Sequence, residues 1–276
     1  MLLHIEERKL VQQKKLTRPD GLLHLSAAKY HCIRVYHRRC GCKQLDLQCT
    51  DFCGCDNCEN QIVSVTANQE TGDDEEDQGS ISKPTGRPKP IVWIDSGIHA
   101  REWISPATNQ YFIHQLLTKY AEDSQVQNFV DQIEWHILPV VNPDGYEYSH
   151  TRNRMWRKSR SGPIHGCYGV DLNRNYDFKW MEIGASSLPC SGTFAGPTPE
   201  SDIETRNLRD YVLPLAKDMK AFITIHSYSQ LFLTPWGHTT ELPSDNDDVH
   251  GLGVKATNAL TAVHGTEYRS RSDANT

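Results

Sequence analysis

The stretch IVWIDSGIHAREW, residues 91–103, decides how this chain is read. Residues 91–95 are a short apolar run that reads as a buried strand, and Ser96-Gly97 ends it with turn chemistry. His99 and Glu102 follow at once. An H-x-x-E on a tight turn can aim an imidazole nitrogen and a carboxylate at one centre. With a distant His the two make the His₂Glu donor set of a catalytic zinc, whose fourth position is left to water or substrate. His226 offers that imidazole. It ends a second apolar run, AFITIH at 221–226, and open α/β sheets place their sites at the carboxyl ends of strands.

Outward from these two words, strand and helix signals alternate. Residues 105–120 have helical periodicity, with Pro106 near the start, where proline is tolerated. Residues 134–141 (EWHILPVV) read as a strand closed by a turn at Asn142-Pro143-Asp144-Gly145. Residues 201–211 and 248–263 read as helices, the second stopped by Gly265. The alternation predicts an α/β domain with a parallel or mixed sheet. Three clear strands are few for such a sheet, and the sequence looks unfinished at its C-terminus.

The front of the chain has another texture. The 276 residues carry a net charge of −6, too mild to name a partner. Residues 1–31 give no clear signal and stay unassigned. Seven of the nine cysteines lie between Cys32 and Cys58, in a Cys-rich segment at 32–60. Dense short spacing suggests metal, and an isolated pair such as Cys167 and Cys190 suggests a disulfide. Residues 61–89 are acidic, then Pro/Gly/Ser-rich, and read as a disordered linker before a domain at 90–276. No run of about 18 apolar residues predicts a membrane span. The first fifteen residues lack the apolar core of a signal peptide.

The words WIDSGIHAREWISPAT, VVNPDGYEYSHTRNRMWRKSR, GVDLNRNYD and ITIHSYSQL resemble the pancreatic-type carboxypeptidase A/B family, in that family's order and at about its spacing. The resemblance covers roughly residues 90–268. It implies a mixed central sheet with helices on both faces, one Zn²⁺, and removal of single C-terminal residues from peptides. His99, Glu102 and His226 match the zinc ligands, and Asp171 the acid that fixes the first ligand His through its other nitrogen. Arg157 matches the Arg that polarises the scissile carbonyl. Asn173 and Arg174 match the clamp on the substrate's free carboxylate, with Arg154 near the same path. Arg101, Ser227 and Tyr228 match residues of the further subsites. Cys167 and Cys190 match a family disulfide. Trp103, Trp156, Tyr111 and Phe112 are read as core. The resemblance implies secretion and partners that are peptide or protein C-termini.

The resemblance also has gaps. The family's closing Tyr, its specificity residue and its general-base Glu come from a section with no counterpart here. Glu267 is a poor substitute, because it lies in a word that precedes that section. The chain as written is therefore expected to show little or no turnover. In front, Cys40, Cys42, Cys49, Cys53, Cys55 and Cys58 resemble half of a tesmin-type CXC module, a class associated with DNA binding. Thiolates so spaced converge easily on a structural zinc. A disulfide knot and a fragment without function are the alternatives, and a fused or mispredicted gene accounts for both the odd front and the missing tail. Three classes of function follow. They are a metallocarboxypeptidase, a zinc-loaded pseudo-enzyme that holds C-termini without cutting, and a CXC-led DNA-binding protein. The third is disfavoured, because residues 1–60 carry ten Lys/Arg against seven Asp/Glu, a thin footprint for DNA.

Overall fold

The structure is a computed structural model and describes residues 2–5 and 80–275. The six cysteines from Cys40 to Cys58 lie outside the described residues. Among the described residues, seven strands form one sheet. They are β1 (Leu2–Ile5), β2 (Ser80–Ile81), β3 (Ile91–Ser96), β4 (Glu134–Leu138), β5 (Met219–His226), β6 (Leu231–Thr234) and β7 (Arg269–Ser272). Their order is β2-β4-β3-β5-β1-β6-β7. The pairs β4/β3, β3/β5, β1/β6 and β6/β7 are parallel, and β2/β4 and β1/β5 antiparallel. The sheet is mixed.

Among the described residues the α-helices are α1 (Ile104–Thr118), α2 (Ser124–Gln132), α3 (Pro143–Thr151), α4 (Ile203–Leu215) and α5 (Asn246–His264). Every residue of β3 is buried, the signature of a central strand covered on both faces. Successive side chains of a strand point to opposite faces. Ile91 and Trp93 therefore pack with Leu208 and Val212 of α4 and with Leu172. Val92 and Ile94 pack with Leu116 of α1 and Val130 of α2. Helices thus cover both faces, as the resemblance implied. Gly265 caps α5 in the left-handed conformation, at φ 75°, and its N–H reaches Thr261 O.

Several expectations need correction. The residues read as a turn at 142–145 begin a helix. Asn142 caps it by accepting from Gly145 N, and Pro143 is its first residue, where a missing N–H costs nothing. The strand expected at 134–141 stops at Leu138, just before Pro139. Residues 80–89, read as the end of a linker, contain β2. β2 pairs with β4, and Lys89 Nζ donates to Ser82 Oγ and Val130 O. Tyr111, read as core, is 64% exposed on α1. Three strands were expected, and β1, β2, β6 and β7 add four.

Candidate metal centre

Strands β3 and β5 are parallel neighbours, with Ser96 beside Ile225, so their carboxyl ends open at one place. Gly97 turns the chain there with φ 67°; a Cβ would sit 3.0 Å from Pro106 Cγ and 3.3 Å from Val140 Cα. A side chain would thus be strained twice, by conformation and by contact. The turn that follows is held from several sides. Glu102 N donates to His99 O, and Ser105 Oγ donates to Glu102 O. Ala100 N donates to Arg157 O. His226 ends β5.

The result is a buried cluster of His99, Glu102 and His226. His99 Nδ1 lies 2.9 Å from Glu102 Oε1, and His226 Nδ1 lies 3.0 Å from Glu102 Oε2. The two Nδ1 atoms are 3.2 Å apart. Bonds of about 2.0–2.1 Å around a tetrahedral zinc put neighbouring donor atoms about 3.3 Å apart. The donors are therefore already spaced for that ion. Two imidazoles and one carboxylate are the donor types of a catalytic zinc. Burial pushes the Glu102 carboxyl up, but hydrogen bonds with His226 and His99 outweigh it and hold the group well below the usual carboxylate range.

Asp171 stands behind His99. It begins a short 3-10 turn, Leu172–Arg174, where its Oδ1 accepts from Asn173 N. The same oxygen is 3.2 Å from His99 Nε2, which leaves His99 Nδ1 as the nitrogen facing the cluster. Oδ2 accepts from Arg157 Nε and Nη2 at 3.1 and 2.9 Å. Burial raises the Asp171 carboxyl. The His99 hydrogen bond and the charges of Arg157 and Arg174 prevail and bring it down to about 2.

The structure brings His99, Glu102, His226, Asp171 and Arg157 together. Ser227 joins through its backbone N–H, 3.1 Å from Glu102 Oε2. Arg157 Nη1 lies 3.9 Å from Glu102 Oε1. Arg174 acts on Asp171 by its charge, while its guanidinium donates to Gly184 O and Asn173 O. Arg154 stacks over the Trp103 ring and donates to Arg101 O. Tyr228 is 90% exposed. Cys167 and Cys190 are disulfide-bonded, closing the loop that carries Asp171, Asn173 and Arg174.

The sequence reading missed two supports. Asp202 accepts from Ser159 Oγ and Ser161 Oγ at 2.8 and 2.7 Å, and Ser159 Oγ accepts from Val170 N. This ties the segment after Arg157 to the one before Asp171. Asp95 and Thr224 pair beneath His226. For Thr224 a signal existed, since it stands two residues before a candidate ligand on the same strand face.

A family model described as zinc carboxypeptidase matches residues 60–276. Carboxypeptidase B of Astacus astacus is 47% identical over 193 residues, which are 69% of this chain and 63% of that protein. Carboxypeptidase O of Bos taurus is 44% identical over 195 residues, 70% of this chain and 52% of that one. The crystal structure of thrombin activatable fibrinolysis inhibitor superposes with a TM-score of 0.69 at 36% identity, over 71% of this chain and 50% of its own. The chain thus spans between 50% and 63% of the length of these proteins.

Proposed function

Because this chain belongs to the zinc carboxypeptidase family, we propose that its described domain engages the C-termini of peptides and proteins at the His99, Glu102 and His226 centre. The family reaction is exopeptidic hydrolysis of the last peptide bond. Three donors converging beside a guanidinium carry this reading. When bound, zinc supplies a Lewis acid and an activated water.

The chain's own residues would do the rest. Arg157 reaches the edge of the cluster, where a guanidinium N–H stabilises negative charge on a carbonyl oxygen. Asp171 anchors that guanidinium from behind through two N–H groups. We assign the substrate's free carboxylate to Asn173 and Arg174, and Arg154 to the path towards them, because a guanidinium fork suits a carboxylate bidentately. Arg101, Ser227 and Tyr228 are assigned to the residues further up the bound peptide. The disulfide suits an oxidising, extracellular setting. No helix among the described residues is long and apolar enough to cross a membrane.

Proton transfer decides between cutting and holding. Glu102 faces both imidazoles, and Asp171 is shared between His99 and Arg157. Neither is left to take a proton from the attacking water. General acid–base catalysis is worth about 10²–10⁴-fold. Residues 1–276 as written are therefore assigned binding with little cleavage. The test pairs two measurements on the zinc-loaded full chain. A short peptide ending in a free Phe or Lys should bind, its C-terminal amide should not, and Arg174→Ala should lose the difference. Release of the terminal residue should fall at least about 100-fold below an ordinary family member. Turnover within about tenfold would overturn this assignment. It would point first to Glu267, which is exposed and paired with Arg269.

A further inference from the structure

One imidazole of the centre has an evident support in Asp171. The other is held differently. Strand alternation puts Thr224 on the same face of β5 as His226, and Trp93 on the same face of β3 as Asp95. The parallel register sets Asp95 beside Thr224. Thr224 Oγ1 donates to Asp95 Oδ1 at 2.6 Å, and Trp93 Nε1 donates to Asp95 Oδ2 at 2.7 Å. All three are buried: Trp93 and Asp95 are 3% exposed and Thr224 8%. Thr224 Oγ1 also lies 3.5 Å from His226 Nε2, at the long end of the hydrogen-bonding range.

We propose that Asp95 and Thr224 are positioning residues that fix His226 as an Nδ1 ligand through its far nitrogen. The proposal rests on the metal reading above. A threonine hydroxyl has one proton, and here it is committed to Asp95. What Thr224 offers His226 Nε2 is a lone pair, so Nε2 carries the ring proton. Nδ1 then keeps its lone pair toward Glu102 and His99. Asp95 accepts on both oxygens and needs no proton of its own. Its negative charge at the end of the relay favours a ring that must share a cation's charge. Asp171 does the same for His99 directly, so two acids, one immediate and one relayed, select the same tautomer on both rings.

The test uses the full chain, freed of metal, titrated with zinc against a chromogenic chelator. Thr224→Val keeps the shape and removes the lone pair. It should weaken zinc about 10–100-fold, the usual cost of losing such an outer partner, while Thr224→Ser stays near the parent. In ¹H–¹⁵N spectra of the metal-free imidazoles, His226 should lose its fixed Nε2–H form in Thr224→Val, and His99 should keep its own. Parental zinc affinity with an unchanged His226 tautomer would overturn the relay. Should valine at 224 prevent folding, Asp95→Asn asks the same question, with weaker zinc expected and unchanged affinity fatal. His226→Ala separates the two ideas. Zinc uptake indifferent to that change removes the metal reading and the relay with it. Uptake lost there but untouched by Thr224→Val removes the relay alone.

Discussion

His99 and His226 face each other across one centre but are built by different parts of the molecule. His99 sits on a turn, and its partner Asp171 lies 72 residues further along the chain in a second loop. That loop is joined to a third through Arg157, and to α4 through Ser159 and Asp202. His226 ends a central strand, and Thr224 and Asp95 meet under it because β3 and β5 are in register. The loop side relies on charges, hydrogen bonds and a disulfide to hold separate segments. The sheet side relies on strand pairing that the hydrophobic core already enforces. Perturbations should therefore separate the two.

The largest effect should not discriminate. His99→Ala and His226→Ala each remove a candidate ligand, and metal analysis should find stoichiometric zinc in neither. Stoichiometric zinc in either variant would break the assignment of that side.

Next in size is the covalent brace. Cys167 and Cys190 stand 23 residues apart, and a loop of that size is worth about 3 kcal/mol on closure in the chain-entropy model. Replacing both by Ser should lower the unfolding temperature. It should also weaken zinc through His99, leaving the His226 ring signals as they were. Equal disturbance of both rings would show that the two sides are mechanically one.

Asp171→Asn should weaken zinc about 10–100-fold, roughly 1.4–2.7 kcal/mol. It should also change the acid limb of stability. The Asp171 carboxyl is held at about 2 in the fold, below its ordinary 3.8. Its contribution is therefore present above about pH 4 and lost as the pH falls towards 2. Acid unfolding of Asp171→Asn should lack that part of the loss. An unchanged acid limb would remove Asp171 from the loop side's support.

The last test lies away from both rings, at Glu204. Burial, then the neighbouring Asp202, push its carboxyl up to about 8, from an ordinary 4.5. A raised carboxyl favours the fold below its ordinary value, and that advantage fades as the pH rises through 8. Thermal unfolding between pH 4.5 and 8 should decline less steeply in Glu204→Gln than in the parent. An identical slope would mean that Glu204 does not titrate as its surroundings demand.

What the sequence made legible follows the same division. β3 could be read because its whole length is buried, so a bare apolar run suffices. β5 could be read for the same kind of run, ending on His226. α1, α4 and α5 showed through their periodicity, with ends displaced by a few residues. α2 was missed because SQVQNFVDQ is short and mostly polar, although Asp123 caps it by accepting from Gln125 N and Val126 N. α3 was missed because Asn-Pro-Asp-Gly suits a turn as well as a helix start. β7, with the sequence RSRS, has no apolar alternation and is a strand because β6 pairs with it. In the site, the three donors stood out through their own words and the family resemblance. Asp95 and Thr224 lie 129 residues apart and meet only through strand register, which no local pattern announces.

The shared carboxylate of Asp171 has a thermodynamic consequence. Its Oδ1 serves His99 and its Oδ2 serves Arg157, so charge drawn to one oxygen is withdrawn from the other. A cation held at His99 Nδ1 would make the Nε2 proton more acidic, draw the carboxylate towards it and loosen the guanidinium. A ligand oxygen taking up Arg157 would return charge to His99 and tighten the cation. Binding at the two places would then be cooperative through a single side chain. Linkage requires the two influences to be equal, so whatever factor zinc adds to the affinity of an oxygen ligand for Arg157, that ligand adds to the affinity of zinc.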